Sequence, residues 1–132
     1  MASVFSKIAL GEIPSHKVAE DEHYLAFLDI NPLVVGHVLV IPKKEVDYIF
    51  DLDDETYIGL QLFAKKVALS IKKAIVCKRV GVVVMGLEVP HTHIHLVPMN
   101  AMQDLDFTLP KLSPSAEELE MTAKKIAIEF IP

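Results

Sequence analysis

The sequence predicts an α+β fold built on a mainly antiparallel sheet. Five short segments that carry β-branched or aromatic residues are bounded by glycine, proline or polar turns, and three segments repeat apolar residues at helical spacing. The longest helical pattern lies near the middle of the 132 residues and another lies at the C-terminal end. Because no internal repeat or low-complexity linker interrupts the sequence, we expect a single domain over residues 1–132.

The first third of the chain predicts a short helix, a hairpin and a buried strand. Ser3 is a suitable cap for a helix over residues 4–10, which glycine and proline would end. A polar turn separates the strand-like segments 17–20 and 24–28, and this spacing predicts a β-hairpin. Residues 38–41 form an uninterrupted apolar run, so we expect a strand covered on both faces.

The rest of the chain predicts a long helix, two strands and a final helix. Residues 53–76 have acidic side chains at the start and lysines at the end, as the helix dipole favours. A strand over 80–85 leads through a short connection into the histidine-rich strand 91–97, and the two are expected to be antiparallel neighbours. Residues 113–118 form a strong helix start, followed by an apolar stripe that reaches residue 130.

The composition restricts the class of function. The formal net charge is -5 and Arg79 is the only arginine, which argues against binding of long nucleic acids through their phosphates. A single cysteine, Cys77, excludes an internal disulfide and fits a reducing compartment. The N-terminal residues lack the apolar core of a secretory signal, and no apolar run is long enough to cross a bilayer. We therefore expect a soluble, cytoplasmic protein without a membrane partner.

The long helical pattern carries more apolar residues than one buried stripe requires. One stripe consists of Leu60, Phe63, Val67, Ile71 and Ala74. Further apolar surface lies outside it, at Ile58, Leu62, Leu69 and Ile75. A helix that is apolar over so much of its circumference predicts a homodimer, and a deeply buried helix in a monomer is the alternative.

Three histidines alternate with apolar or β-branched residues at positions 91, 93 and 95. In a strand, alternate side chains share a face, so we expect His91, His93 and His95 to form a ridge of imidazoles on one side of the sheet. A solvated strand face would explain one histidine, but three favour either a metal site or acid–base and nucleophilic chemistry. Glu88 and Asp104 are the nearest carboxylates in sequence for a metal-assisted hydrolysis. The residues alone leave both kinds of site open.

The segment His91-Thr-His93-Ile-His95-Leu-Val resembles the signature of the histidine triad (HIT) superfamily, most closely its Hint branch of nucleoside phosphoramidate hydrolases. The resemblance extends to residues 4–14, 24–32 and 36–43, which are similar to the family's opening segment, ribose-binding turn and central strand. It implies a HIT-like fold with a five-stranded, mainly antiparallel sheet, a long central helix and a C-terminal helix. It also implies a homodimer.

The resemblance further implies a nucleotide hydrolase or nucleotidyl transferase that needs no cofactor. His93 would attack the α-phosphorus of a purine nucleoside monophosphate conjugate, such as a phosphoramidate, and form a covalent nucleotidyl-histidine intermediate. His95 matches the residue that contacts the phosphate and protonates the leaving group, and His91 and His37 match supporting positions. Zinc could bind the ridge of His91, His93 and His95, but we expect no role for it.

The resemblance also identifies candidate nucleotide-binding residues. Asp29 matches the acidic residue that binds the ribose hydroxyls, although a carboxylate that closes a turn before proline explains it equally well. Four apolar residues match positions around the base, and each of them taken alone is better explained as ordinary core. They are Phe5, Ile8, Phe27 and Ile30.

Two departures from the family pattern bear on the substrate. Glu45 stands where the family often has a histidine, and the connection 84–90 is shorter than the family's phosphate loop and lacks its asparagine. That connection carries Glu88, which we place beside the phosphates and expect to repel a polyphosphate tail. Small mononucleotide conjugates are therefore favoured. The alternatives are a nucleotide-binding regulatory protein with little catalysis, a dinucleoside polyphosphate hydrolase and a zinc-binding protein that uses the three histidines.

Overall fold

Five strands and three α-helices make up the described residues, 2–132, of the computed structural model. In chain order they are α1 (Val4–Ala9), β1 (Lys17–Glu20), β2 (Tyr24–Leu28), β3 (Val38–Pro42), α2 (Asp54–Ala74), β4 (Arg79–Val83), β5 (Ile94–Met99) and α3 (Ala116–Ala127). Short 3₁₀ turns lie at Ile49–Asp51 and Met102–Leu105. The prediction of an α+β fold with a long central helix and a C-terminal helix is confirmed.

The sheet has the strand order β1-β2-β3-β5-β4, and all neighbouring strands are antiparallel. The predicted hairpin is β1–β2, whose turn is closed because Asp21 Oδ1 accepts the N–H groups of His23 and Tyr24 at 2.8 Å each. The expected pairing of the strand before the histidines with the histidine strand is also confirmed, with Val83 opposite His95.

Helices cover both faces of the sheet, which explains why every residue of β3 is buried, as predicted. One face packs against α2 and α3 through Ala26, Leu28, Val38, Val40, Ile94 and Leu96. The opposite face carries α1 and contributes Leu25, Phe27, Leu39 and Ile41 to a second cluster with Phe5 and Ile8. Because His95 lies between Ile94 and Leu96 on β5, its side chain points to the face that carries α1.

The three helices begin where the sequence predicts. Ser3 Oγ accepts the N–H of Ser6 at 3.0 Å and caps α1. In α3, Ser115 and Glu118 form the predicted capping box, with reciprocal bonds of 3.1 and 3.0 Å. No helix of residues 2–132 has the length and apolar character that a membrane span requires.

The predicted stripe of α2 is largely buried, because Leu60, Phe63, Val67 and Ile71 are at most 4% exposed. Of the four apolar residues predicted outside the stripe, Ile58, Leu62 and Leu69 are exposed instead, at 55–56%. The fourth, Ile75, is half-buried and packs against the core at the end of α2. The alternative of a helix buried all round is therefore wrong for the single chain. The homodimer stays a prediction.

The prediction of one strand over residues 91–97 is wrong at its start, because β5 begins only at Ile94. The backbone before it binds elsewhere: the Thr92 N–H donates to the Val46 carbonyl at 2.7 Å, and the His91 N–H donates to the Val89 carbonyl at 2.8 Å. A segment whose N–H groups have these partners cannot continue the ladder with β3.

Candidate active site

A cleft of about 500 Å³ lies between α1, the end of β2 and the segments on either side of β5. We call it the histidine cleft. It contains all the residues that the sequence analysis assigned to nucleotide binding, which are Asp29, Phe5, Ile8, Phe27, Ile30 and Glu88. His93 and His95 also line it, whereas His37 and His91 lie behind its wall.

Apolar side chains form one wall of the cleft. Phe5 packs edge-on against Phe27, with 5.6 Å between ring centroids, and edge-on against His93 at 4.9 Å. Phe5, Ile8 and Phe27 are buried, so they are core residues and cleft wall at once. Ile30 is 61% exposed and lies at the rim.

Asp29 uses its two carboxylate oxygens differently. Oδ1 accepts the N–H of Asn31 at 2.9 Å, which is the turn role that the sequence allowed. Oδ2 lies 3.8 Å from His37 Nε2, and the residue lines the cleft. Burial raises the pKa of Asp29, against the lowering effect of the Asn31 bond. The turn-closing role and the predicted ribose-binding role of Asp29 are therefore compatible, because they use different oxygens of one carboxylate.

The protonation of His93 follows from its single bonding partner. His93 Nδ1 is 2.7 Å from the His91 carbonyl oxygen, and a carbonyl can only accept, so Nδ1 carries the proton. In the neutral ring, Nε2 then has a free lone pair. Because His93 lines the cleft, this nitrogen is available to attack an electrophile bound there.

His37 and His95 form a directional chain of hydrogen bonds. The Leu33 N–H donates to His37 Nδ1 at 3.1 Å, so His37 carries its proton on Nε2. That proton is donated to His95 Nδ1 at 3.0 Å, so His95 in turn carries its proton on Nε2. His95 therefore presents an N–H donor to the cleft, beside the lone pair of His93. The ring centroids of His93 and His95 are 4.9 Å apart.

Burial keeps this pair of imidazoles neutral. Desolvation lowers the pKa of His37 to about 4 and that of His95 to about 3. The positive charge of Lys111 adds to the effect at His37, and at His95 the repulsion that a second positive charge on His37 or His93 would cause adds to it. Both rings are uncharged near pH 7.

His91 is fully buried and its ring has no free nitrogen. Nε2 donates to the Pro42 carbonyl at 2.8 Å, which leaves Nδ1 as an acceptor for Ser3 Oγ at 2.8 Å. Its ring still lies on the α1 side of the sheet, with 6.1 Å between its centroid and that of Phe5. The three imidazoles thus share a side, as predicted, but His91 does not line the cleft.

The donor atoms do not suit a resident metal ion. A zinc ion on His91, His93 and His95 would find both nitrogens of His91 and Nδ1 of His93 already bonded. Within residues 2–132, the one group of three potential ligands whose donor atoms lie within 4.8 Å is Asp29, His37 and His95. There the Leu33 N–H fixes the proton of His37 on Nε2, so that nitrogen lacks the lone pair that a metal needs.

Two further residues line the cleft that no sequence pattern indicates, Phe107 and Lys111. Phe107 packs edge-on against His95 and His37, with 5.0 and 6.1 Å between ring centroids. Lys111 is the one cationic side chain among the residues that line the cleft. Both belong to the irregular segment after β5, which carries no periodicity or motif that could have indicated them.

The chain is similar to several known proteins. It is 35% identical over 130 residues to the adenosine 5'-monophosphoramidase of Schizosaccharomyces pombe, which covers 96% of this chain and 97% of that protein. It is 40% identical over 102 residues to an uncharacterized HIT-like protein of Borreliella burgdorferi, over 72% of this chain and 73% of that protein.

Solved structures show the same fold. A HIT-like protein involved in cell-cycle regulation from Bartonella henselae superposes with a TM-score of 0.85 at 33% identity, covering 97% of this chain and 96% of that one. A zinc-bound histidine triad family protein from Mycobacterium smegmatis superposes with a TM-score of 0.84 at 27% identity, covering 98% and 93%. The family model described as HIT domain matches residues 10–102, well over half of the sequence. The chain therefore belongs to the HIT family, as the histidine segment indicated.

Proposed function

We propose that this protein hydrolyses the phosphorus–nitrogen bond of a nucleoside phosphoramidate through a covalent nucleotidyl intermediate on His93. The observation that carries the proposal is the bond from His93 Nδ1 to the His91 carbonyl, which leaves Nε2 with a free lone pair at the cleft wall. The name of the S. pombe relative, an adenosine 5'-monophosphoramidase, supports the same substrate class.

The cleft has the chemistry that a nucleoside requires. Its apolar wall offers Phe5, Ile8 and Phe27 to the flat face of a base, with Ile30 at the rim. Asp29 Oδ2 accepts no hydrogen bond from residues 2–132, so we assign it to the ribose hydroxyls as an acceptor. A purine is the larger base and would cover more of this wall, so we propose a purine nucleotide.

In the first step, His93 Nε2 attacks the α-phosphorus. The new bond joins Nε2 to phosphorus, the phosphorus–nitrogen bond breaks, and the departing nitrogen takes up a proton. The site takes up one proton with its anionic substrate, because the negative charge of the phosphate favours a positive charge on the neighbouring His37–His95 pair, and His95 donates a proton to that nitrogen. The Asp29 carboxylate, 3.8 Å from His37, stabilises the added positive charge on the His37–His95 pair.

In the second step, water attacks the phosphorus of the intermediate. Its proton passes to His95, which is neutral after the first step, and the bond from phosphorus to His93 Nε2 breaks. The leaving group is a neutral imidazole, because His93 keeps its proton on Nδ1, where it is donated to the His91 carbonyl. The products are the nucleoside monophosphate and an enzyme with one extra proton on the His37–His95 pair. Release of that proton as the phosphate leaves restores the original enzyme. An alcohol or amine in place of water would give nucleotidyl transfer.

The charges around the cleft favour a small leaving group. Lys111 is the one lysine or arginine that lines the cleft. Two acidic residues, Asp29 and Glu88, line it as well. Burial is the main cause of the raised pKa of Asp29, and the negative charge of Glu88 adds to it. A polyphosphate tail would add several negative charges to this surface, whereas an amine leaving group adds none.

The intermediate provides the decisive test. Protein mixed with adenosine 5'-phosphoramidate and quenched within milliseconds in alkaline denaturant should carry one adenylyl group on His93, located by mass spectrometry. His93→Ala should lose the adduct and lower kcat roughly 10³-fold or more, because no other lone pair replaces Nε2. His23→Ala, at an exposed ring, is the control.

Two outcomes would exclude the proposal. Full turnover by His93→Ala would mean that the nucleophile lies elsewhere. Measurable binding of adenosine monophosphate by calorimetry, with no turnover of phosphoramidates or dinucleoside polyphosphates by the wild type, would identify a nucleotide-binding regulatory protein instead.

A further inference from the structure

A hydrogen-bond cluster lies behind the proposed nucleophile, with three buried members and an exposed glutamate at its outer edge. It consists of Ser3, Ser6, Glu45 and His91, and we call it the serine–glutamate cluster. We propose that this cluster positions His93, because it holds His91 in one tautomer and one place and so aligns the His91 carbonyl with His93 Nδ1. The kinetic part of this inference rests on the proposed function, but the structural part does not.

The ring of His91 is fixed at both nitrogens. Its Nε2–H donates to the Pro42 carbonyl, and its Nδ1 accepts from Ser3 Oγ, at 2.8 Å each. Since the ring is fully buried, neither bond can be replaced by water. His91 therefore has one tautomer and one ring orientation as long as Ser3 donates to it.

The hydroxyl of Ser3 has a complete set of partners. It donates to His91 Nδ1 and accepts the N–H of Ser6 at 3.0 Å, the bond that also caps α1. Ser6 Oγ lies 3.3 Å from the same His91 nitrogen but gives its own proton to Glu45 Oε1 at 2.6 Å. The Pro42 carbonyl and the Glu45 carboxylate can only accept hydrogen bonds. His91 Nε2 and Ser6 Oγ must therefore donate to them, and Ser3 Oγ must donate to the remaining His91 nitrogen.

Glu45 closes the cluster from the segment after β3. One of its oxygens, Oε1, accepts both the Ser3 N–H and the Ser6 hydroxyl at 2.6 Å. These bonds, the Ser6 hydroxyl first, lower the pKa of Glu45 to about 2, so it remains a pure acceptor at neutral pH.

The last residue of β3 and the segment after it hold His91 and Thr92, the two residues on either side of the His91 carbonyl. Pro42 binds the ring of His91, and the Val46 carbonyl accepts both the N–H and the hydroxyl of Thr92, at 2.7 Å each. The His91 carbonyl lies between these anchors and accepts His93 Nδ1–H at 2.7 Å. A shift of the His91 ring would therefore move the acceptor that sets the tautomer of His93.

Loss of the acceptor has a chemical consequence as well as a structural one. Without a well-placed carbonyl, neutral imidazole distributes its proton over both nitrogens. Protonation of His93 at Nε2 removes the lone pair that attacks phosphorus. The cluster should consequently affect kcat, through the fraction of reactive tautomer and its alignment, and leave the affinity for the substrate unchanged.

Glu45→Ala is the sharpest variant, because it leaves the Ser3–Ser6 cap of α1 and the cleft lining intact. Glu45→Gln is the conservative partner, since its amide oxygen can accept the same two bonds. Ser3→Ala removes the donor to His91. The matched control is Ser115→Ala combined with Glu118→Ala, which removes a serine–glutamate capping box on α3 whose two residues do not line the cleft.

The measurements are steady-state turnover of adenosine 5'-phosphoramidate, thermal unfolding, and long-range nitrogen–proton NMR correlations of the histidine rings without substrate. We expect Glu45→Ala and Ser3→Ala to lower kcat roughly tenfold, with KM within about twofold. The ring of His93 should change from a single Nδ1–H form to a mixture. Glu45→Gln should restore the wild-type kcat and the single Nδ1–H form of His93. The α3 control should lower the melting temperature without changing kcat or the form of the His93 ring.

An unchanged His93 spectrum in Glu45→Ala and Ser3→Ala would overturn the positioning role, whatever happens to the rate. An equal loss of kcat in the α3 control would overturn it as well, because general destabilisation would then be the cause. A wild type that shows the Nδ1–H form, loses it in the variants and yet cleaves no phosphoramidate would refute the proposed function and leave the positioning role intact.

Discussion

Three backbone groups decide which nitrogen of each imidazole carries a proton. The Leu33 N–H can only donate, and the carbonyls of His91 and Pro42 can only accept. These constraints give His93 a free lone pair and His95 a free N–H without any charged partner. The nucleophile is therefore prepared by backbone geometry, and no general base is needed to deprotonate it.

The neutral state of His37 should be visible in the pH dependence of stability. Its pKa is about 4 in the folded protein and 6.5 ordinarily, so between these values the unfolded chain binds more protons. The contribution of His37 to the free energy of unfolding is complete above pH 6.5 and is lost as the pH falls toward 4. Over this window the loss is on the order of 3 kcal/mol. Urea unfolding at a series of pH values measures it.

The variant His37→Gln isolates this contribution from that of the carboxylates. A glutamine can accept from Leu33 and donate to His95, so the chain of bonds can persist, but it cannot titrate. The variant should show a shallower loss of stability between pH 6.5 and 4 than the wild type. Parallel curves for the two proteins would mean that His37 is not buried in its neutral form.

The catalytic candidates could be predicted from the sequence because their chemistry is carried by side chains in a recognisable pattern. His93 and His95 line one cleft with Asp29, as expected. The hydrogen-bond cluster behind them could not be predicted, because Ser3 and Glu45 are 42 residues apart and meet only through the fold. Ser3 was identified for its local role alone, as a helix cap.

At the scale of elements, periodicity predicted the type of segment better than its limits. The alternation from His91 onward indicated a strand, and His95 does lie on one, yet the ladder with β3 begins at Ile94. Threonine favours strands, so nothing local indicated that Thr92 would bind the Val46 carbonyl instead. The hydrogen bonds of Thr92 to the Val46 carbonyl thus outweighed the local preference of threonine for a strand.

The irregular segment after β5 is the element whose function sequence patterns missed, and Lys111 tests it. The segment is held by the bond from the Leu112 N–H to the Pro32 carbonyl at 2.9 Å, which brings Lys111 to the cleft. As the one cation in the lining, it should attract the substrate phosphate. Lys111→Ala should raise KM for adenosine 5'-phosphoramidate by roughly threefold to tenfold, because an exposed ion pair contributes about 1 kcal/mol.

The sign of the charge distinguishes attraction from packing. Lys111→Glu should raise KM further than Lys111→Ala, and the difference between them should shrink at high salt. Lys65→Ala, which removes an exposed lysine from α2, is the control and should leave KM unchanged. Equal KM values for the alanine and glutamate variants would show that charge at this position does not contribute.

For the whole molecule, short connections and polar turns made the antiparallel pairs β1–β2 and β4–β5 predictable. The strand order was not predictable in the same way, because β5 lies between β3 and β4. Placement of β5 beside β3 depends on contacts across the long helix α2, which local sequence does not encode. It is this placement that brings His95 to His37, 58 residues away.

The exposed side of the molecule supports the expected homodimer. Ile58, Leu62 and Leu69 follow one another at helical spacing and form an apolar stripe on α2 that residues 2–132 leave more than half exposed. Val82, 58% exposed, lies on β4, a strand at the edge of the sheet whose outer backbone groups are open to pairing. A second copy would bury the stripe and satisfy that edge. Light scattering after size exclusion should therefore give twice the chain mass at micromolar concentration.

Single charges should weaken such a dimer. Leu62→Glu places a carboxylate in the middle of the α2 stripe, and we expect it to raise the dissociation constant by roughly 30-fold, about 2 kcal/mol. Met121→Glu, on the exposed side of α3, is the matched control and should leave the mass unchanged, because it introduces the same charge at a similarly exposed apolar residue. A monomeric wild type at these concentrations would exclude the dimer. A dimer that survives Leu62→Glu with unchanged affinity would mean that the chains associate through a surface other than α2.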